Sequence, residues 1–287
     1  MKNYILLIFF FLILVCCNQP GSKANSDDTN VVNTQQNNQP LDSLITINGS
    51  SIFYKMKGRN WPAIIFISGM GDDHKTWQQV QDSLSNVALT LSYDRCGLGK
   101  SPYKHQSKDV ASMAEELHSL VNNLHIPKPS IIVGHSLGSQ IAKVFAQKHP
   151  EYIKAIIFID PGFNEENLKK ELPADVWEAR NSMIKKYTGN LNKAQQAEKN
   201  ELNHSCKTAD SIDNLPLVPV VLFTATLINP DFPGSAQELK VKEQTHALWL
   251  KDIPGSRHIH VKESRHYIQN DKPEIIMGTL VSLLNEN

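Results

Sequence analysis

The clearest chemistry in this sequence surrounds Ser136, within the run Gly134-His135-Ser136-Leu137-Gly138. The apolar run Ile131–Val133 precedes it, and Ser139–Lys148, which has helical periodicity, follows it. A serine on a tight turn between a strand and a helix exposes its hydroxyl, and glycines two residues away leave room for a strained backbone. The helix N-terminus also favours negative charge developing beside the turn. This context predicts that Ser136 is a nucleophile.

A serine hydroxyl is a poor nucleophile unless a base lies within hydrogen-bond reach. His266 is the candidate base, because it follows the last predicted strand and precedes the final helix. The other histidines have no comparable placement, and we expect most of them to be solvated. His258 and His260 alternate along a predicted strand as two metal ligands would, but no third ligand is near. We therefore expect no metal and no cofactor.

Buried strands alternating with helices must position these residues. Asn48-Gly49-Ser50 between two alternating runs, Leu44–Ile47 and Ser51–Met56, predicts an antiparallel hairpin. Continuous runs rich in Ile and Val predict parallel strands buried on both faces. These runs are Ala63–Ser68, Val87–Tyr93, Ser130–Val133, Ile153–Ile159, Val218–Phe223 and a short Arg257–Val261. Helical periodicity marks Val110–Leu124, Leu137–Lys148 and Glu274–Leu284. The order predicts an α/β protein with a mostly parallel, doubly wound sheet. The polar residues 161–215 break the alternation and predict an inserted helical cap.

From Ser43 to the C-terminus the chain resembles the α/β-hydrolase superfamily, because four motifs occur in that family's order. The Ser136 turn is one of them. The other three are Ile67-Ser68-Gly69-Met70-Gly71, Tyr93-Asp94-Arg95-Cys96-Gly97-Leu98-Gly99-Lys100-Ser101, and Ser264-Arg265-His266-Tyr267-Ile268 followed by Asp271 and Pro273. The resemblance implies the α/β-hydrolase fold over residues 43–287.

The resemblance also implies an oxyanion hole formed by the backbone N–H groups of Met70 and Leu137. Ser68 stands where the family usually has histidine. Because the donors are backbone groups, this departure changes only what braces the turn. Asp94 and Arg95 are expected to have a structural role nearby.

The acid that would orient His266 has two candidates, Asp160 and Asp231. Members of the family usually carry the acid after the strand that corresponds to Val218–Phe223, and Asp231 lies late in that segment. Other members place the acid at the end of the preceding strand, and in this sequence Asp160 occupies that position. An aspartate at the carboxyl end of a parallel strand points into the crevice where ligands bind, although it can also cap the next turn. We prefer Asp160, and Asp231 stays open.

The N-terminus predicts export. Lys2 and the apolar run Ile5–Val15, shorter than the roughly 20 residues of a membrane-spanning helix, are typical of a signal peptide over residues 1–17. Leu14-Val15-Cys16-Cys17 resembles a bacterial lipobox, which implies lipidation of Cys17 and attachment to a membrane surface of the cell envelope. Residues 18–42 are polar and predict a flexible tether. The alternative is an uncleaved anchor helix.

Composition limits the partners. The chain has 29 basic and 29 acidic residues, so nothing indicates binding to nucleic acid. Beyond the lipobox only Cys96 and Cys206 remain, which permits at most one disulfide bridge.

Together these features predict a serine hydrolase that forms an acyl-enzyme with a small carboxylic ester or related acyl substrate. Amides, thioesters and carbon–carbon bonds remain open. Serine at the turn counts against the dehalogenase and epoxide-hydrolase branches of the family, which use aspartate there. The alternative is a catalytically inactive binding lipoprotein of the same fold, although Ser136 and His266 are both retained.

Overall fold

The computed structural model describes residues 41–286 and contains an eight-stranded sheet. The strands are β1 (Leu41–Ile47), β2 (Ser50–Lys57), β3 (Ile64–Ile67), β4 (Thr90–Asp94), β5 (Ser130–His135), β6 (Ile153–Ile159), β7 (Val220–Ala225) and β8 (Arg257–Val261). Their order is β1-β2-β4-β3-β5-β6-β7-β8. Strand β2 pairs antiparallel with β1 and β4, and all the other pairs are parallel.

The hairpin forms where the sequence predicts it. Asn48 and Gly49 have φ angles of 50° and 74°, the left-handed conformations that a two-residue hairpin turn of this kind requires. Strand β1 begins earlier than predicted, since Leu41 and Asp42 pair with Met56 and Lys55. The predicted tether through residue 42 therefore overlaps the first strand by two residues, and its remainder lies outside the described residues.

Two other predicted strands have shifted bounds. Val87 and Ala88 donate their N–H groups to the carbonyl of Leu84, so they form the turn that ends a helix instead of starting β4. Strand β7 runs two residues later than predicted, because it begins after Pro219, which has no N–H to donate to a ladder.

Nine α-helices accompany the strands over residues 41–286. They are α1 (Gln78–Leu84), α2 (Val110–Asn123), α3 (Leu137–Lys148), α4 (Glu165–Glu171), α5 (Ala174–Tyr187), α6 (Lys193–Asp210), α7 (Ser235–Leu250), α8 (Ile268–Asp271) and α9 (Pro273–Asn285). Helices α4, α5 and α6 occupy the stretch predicted as an inserted cap, and we call these three helices the cap. Helix α7 was not predicted, because it buries few apolar side chains, and its buried face includes Thr245 and His246.

The sheet separates two apolar layers. On one face Ile65, Ile132 and Leu222 pack with residues of α2 and α3. On the other face their neighbours in the strands, such as Ile64 and Val133, pack with α1 and α9. This alternation explains the continuous apolar runs, because both faces of the central strands are buried.

Two smaller findings concern the sequence predictions. Cys96 and Cys206 are both buried free thiols, so the one possible bridge between them is not formed. Within residues 41–286, no helix has the length and apolar character needed to cross a bilayer.

Candidate active site

Ser136 lies on the turn between β5 and α3 with φ 50° and ψ −121°, a strained conformation for a residue with a side chain. The flanking glycines are required for close packing. A Cβ atom would lie 2.3 Å from the carbonyl oxygen of Gly138 if added to Gly134, and 2.2 Å from that of Ile67 if added to Gly138. The N–H of Ser136 donates to the carbonyl of Ile159 on the neighbouring strand, at 3.0 Å. The turn is therefore fixed between β3, α3 and β6.

His266 and Asp160 are in direct contact. Nδ1 of His266 lies 2.7 Å from Oδ2 of Asp160, and Oδ1 of the same carboxylate accepts the N–H of Ala225 at 2.9 Å. Asp160 directly follows β6 and is fully buried. Asp231 is exposed, and its N–H donates to the side chain of Asn229. Of the two candidate acids, the structure brings Asp160 to His266.

Lys242 of α7 is a third partner of Asp160, and sequence reasoning missed it. Its Nζ lies 3.0 Å from Oδ1 and 3.1 Å from Oδ2. Burial alone raises the pKa of Asp160, but the hydrogen bond with His266 and the charge of Lys242 outweigh burial and hold that pKa well below its usual range. Asp160 is therefore an ionised carboxylate in a buried position.

The turn of residues 67–71 is held by its carbonyl groups. Arg95 donates from Nη1 to the carbonyl of Ser68 at 2.7 Å and from Nη2 to that of Gly69 at 2.6 Å. The C=O and N–H of one trans peptide point in opposite directions, so the N–H of Met70 is directed away from Arg95. Leu137 is the first residue of α3, and its N–H has no helix carbonyl one turn earlier. These two N–H groups are the candidate oxyanion donors that the resemblance implies.

Arg95 is held in turn by Glu198 of α6. The two side chains form a bidentate ion pair with N–O distances of 2.7 and 2.9 Å, and both are almost fully buried. Glu198 also accepts the N–H of Gly71 at 2.8 Å. Burial raises the pKa of Glu198, but the charge and hydrogen bonds of Arg95 more than compensate and lower that pKa overall. Arg95 thus binds the neighbouring turn, as expected of a structural residue. Glu198 was not predicted, because in the sequence it resembles a solvated charge on a polar helix.

Three histidines expected to be solvated are buried instead, namely His74, His135 and His246. Nε2 of His135 lies 3.0 Å from the backbone carbonyl of His266, so this nitrogen carries the proton. Nε2 of His246 likewise donates to the carbonyl of Pro161 at 2.9 Å. Burial lowers the pKa of His135 to about 3 and that of His246 to about 4, so both rings are neutral near pH 7.

The histidines on β8 do not form a metal site. Because Nε2 of His246 is a donor, its Nδ1 accepts from Oγ1 of Thr224, which in turn accepts from Nε2 of His258, each contact being 2.7 Å. His258 is therefore occupied as a donor. Nε2 of His260 lies 3.6 Å from a carboxylate oxygen of Glu243.

Two other groups of side chains over residues 41–286 have ligand atoms within 4.8 Å of one another. These are Glu115, His118 and His149, and Asp73, His74 and Asp94. In the first, Glu115 is bonded to Lys148, and the two rings stack 3.8 Å apart with an interplanar angle of 11°, so their in-plane lone pairs do not converge. In the second, Asp94 already accepts from His74 and Lys100. Neither group contributes to the cavity that contains Ser136.

That cavity has a volume of about 960 Å³ and is lined by Ser136, His266, Asp160 and Met70. Apolar side chains from the cap, from the residues just before it, from the segment after β7 and from α7 form much of the remaining wall. They are Phe163, Ile184, Leu202, Leu227, Ile228, Pro230, Phe232 and Leu239. Arg180 of α5 also faces the cavity, where it pairs with Glu238 of α7 at 2.6 Å and lies over the ring of Phe232.

Comparison with known proteins agrees with this architecture. Residues 62–202 match the family described as alpha/beta hydrolase fold. The uncharacterized protein YqjL of Bacillus subtilis (strain 168) is 25% identical over 243 residues, which cover 82% of this chain and 89% of that relative.

Solved structures give the same result for the fold. Est816, described as an N-acyl homoserine lactone degrading enzyme, is 15% identical with a TM-score of 0.60, covering 84% of this chain and 99% of its own. The epoxide hydrolase CorEH is 16% identical with a TM-score of 0.60, covering 85% and 98%. At these identities the likeness concerns the fold alone. With the sheet order and the family match over residues 62–202, it shows that this chain has the α/β-hydrolase fold.

Proposed function

We propose that the protein is a serine hydrolase that cleaves carboxylic esters or related acyl compounds through an acyl-enzyme on Ser136. Asp160 is ionised and can only accept, so Nδ1 of His266 carries a proton, and in the neutral ring the lone pair is on Nε2. This nitrogen removes the Ser136 proton as Oγ attacks the substrate carbonyl. The N–H groups of Met70 and Leu137 stabilise the negative charge that develops on the carbonyl oxygen.

The second half of the reaction reverses these roles. Protonated His266 gives its proton to the leaving group, which departs and leaves the acyl group on Ser136. Water then attacks the acyl-enzyme while His266 again acts as base, and the carboxylic acid is released. The Asp160–His266 hydrogen bond, on the wall of the cavity that also exposes Ser136, is the observation that carries this proposal.

The cavity supports a substrate with an apolar acyl or alcohol portion, because aliphatic and aromatic side chains form much of its wall. Est816 is described as degrading an N-acyl homoserine lactone, a compound that contains a cyclic ester and an amide, and both groups lie within the substrate class proposed here.

Labelling with a fluorophosphonate probe tests the proposal, because the probe reacts with activated serines. We expect the protein to label, Ser136→Ala to abolish labelling, and Asp160→Asn to slow it strongly. Asp231→Asn is the matched control and should label like the unchanged protein. A folded protein that does not label would contradict the proposal and favour a binding protein that has lost turnover.

We further propose that the protein is exported and held on a membrane surface by a lipid on Cys17. The support is the signal-like and lipobox-like sequence of residues 1–17, which lie outside the described residues. Two or more acyl chains are enough for stable attachment to a bilayer.

A further inference from the structure

We infer that Lys242 is a positioning residue of the catalytic apparatus, which acts through its contact with Asp160 to set the pH range in which the site is active. This inference rests on the proposed function, because it concerns the same acid and base.

The contact between Lys242 and Asp160 is built into the fold. Lys242 approaches both carboxylate oxygens, at 3.0 and 3.1 Å, and its side chain is only 12% exposed. Glu238, Lys242 and His246 are spaced four residues apart and therefore share one face of α7. Glu238 binds Arg180 of the cap, and His246 binds the carbonyl of Pro161, next to Asp160. These flanking contacts hold the helix so that Lys242 meets the carboxylate.

The other ionisable groups around Asp160 do not duplicate this charge. His135 on β5 and His246 on α7 are neutral above about pH 5, because burial lowers the pKa of each. Asp72 lies 3.9 Å from His135 and accepts a hydrogen bond from Tyr267. Arg265, next to His266 in the chain, is largely exposed and pairs with Asp271. Among the described residues, Lys242 is thus the lysine or arginine side chain that contacts Asp160.

The chemical consequence follows from the charge balance. During acylation His266 becomes an imidazolium, and Asp160 stabilises it. A carboxylate that already faces an ammonium group attracts the imidazolium less strongly, so the activity of the site should extend to a lower pH with Lys242 than without it. Lys242 also offsets the cost of burying the carboxylate, which keeps Asp160 ionised and directs Oδ2 toward Nδ1 of His266.

The test is the pH dependence of fluorophosphonate labelling of the full protein, measured as a second-order rate from pH 4.5 to 9. In Lys242→Met the acidic limb of this profile should move to higher pH by about one unit, so the variant labels about tenfold more slowly than the unchanged protein near pH 5.5. Lys242→Arg keeps the charge and should restore the original limb. Lys240→Met is the control, because Lys240 lies on the exposed side of α7 and pairs with Glu171.

The outcomes separate the two proposals. Superimposable acidic limbs for Lys242→Met and the unchanged protein would overturn the inference, as would an equal shift in Lys242→Arg or in Lys240→Met. Lys242→Arg keeps the test decisive if Lys242→Met does not fold, since a limb displaced in the arginine variant contradicts a role of charge. Absence of Ser136-dependent labelling at every pH in the unchanged protein would instead refute the proposed function.

Discussion

Arg95 and Glu198 form a buried ion pair, and both residues also bind the backbone of the 67–71 turn. Arg95 binds the carbonyls of Ser68 and Gly69, while Glu198 accepts the N–H of Gly71. Arg95 follows β4, and Glu198 belongs to the cap helix α6, so the cap is bonded directly to the turn that carries the Met70 N–H. The cap therefore supports the turn that carries the Met70 N–H, and it also lines the cavity.

Glu198→Gln should weaken both folding and turnover. The change leaves the buried guanidinium of Arg95 without its counter-charge, which typically costs about 3 to 5 kcal/mol. Urea unfolding measures this loss, and ester hydrolysis measures the accompanying fall in kcat. Glu201→Gln on the same helix is the control and should change the free energy of unfolding by less than about 0.5 kcal/mol. Equal stabilities of the two variants would contradict the role of the ion pair.

The stability of the protein should fall on acidification for a related reason. The pKa values of Asp160 and Glu198 are both held below their ordinary range in the folded protein. Such groups contribute stability that is fully present above the pKa of the unfolded chain, about 4, and is lost as the pH falls toward the folded pKa. We expect the free energy of unfolding to decrease below about pH 4.5. The decrease should be shallower in Glu198→Gln, and an unchanged slope would argue against the assignment.

Gly138→Ala should inactivate the protein, because the new Cβ would lie 2.2 Å from the carbonyl oxygen of Ile67. Backbone on both sides must move, which displaces the Ser136 turn from the 67–71 turn. Gly278→Ala is the matched control, since Gly278 is an exposed position of α9 with nothing within 4 Å of an added Cβ. That variant should be more stable by about 0.5 to 1 kcal/mol because alanine favours the helix. Thermal unfolding and fluorophosphonate labelling distinguish the two results.

Features of the fold and site that depend on local sequence were predictable, whereas contacts between residues distant in sequence were not. The Ser136 turn and His266 were predictable because close packing demands glycine at fixed positions and because buried parallel strands leave continuous apolar runs. Lys242 and Glu198 were not, since each reaches its partner from a polar helix, 82 and 103 residues away in sequence, and resembles a solvated surface charge. Asp160 was one of two candidate acids, because its contact with His266 depends on how β6 and β7 end in space.

The cavity predicts a dependence on acyl chain length. Each CH₂ group buried against the cap should contribute about 0.8 kcal/mol, so kcat/KM should rise about fourfold per carbon along p-nitrophenyl esters until the cavity is filled. Ile184→Trp fills part of the cavity and should reduce kcat/KM for the octanoate far more than for the acetate. Met183→Trp is the control, because Met183 is next to Ile184 on α5 but does not line the cavity. A uniform loss over all chain lengths would indicate that Ile184 does not contact the acyl chain.

The lipid attachment is testable in cells that express the full chain. Globomycin inhibits the signal peptidase that processes bacterial lipoproteins, so treatment should produce a slower-migrating precursor. Cys17→Ala removes the acceptor of the lipid and should release the protein from the membrane fraction, because attachment depends on the buried acyl chains. Cys16→Ala is the control, since it keeps Cys17 and places a residue usual for the lipobox before it. If neither globomycin nor Cys17→Ala changes migration or membrane association, the sequence before the domain acts as an ordinary signal or anchor and not as a lipobox.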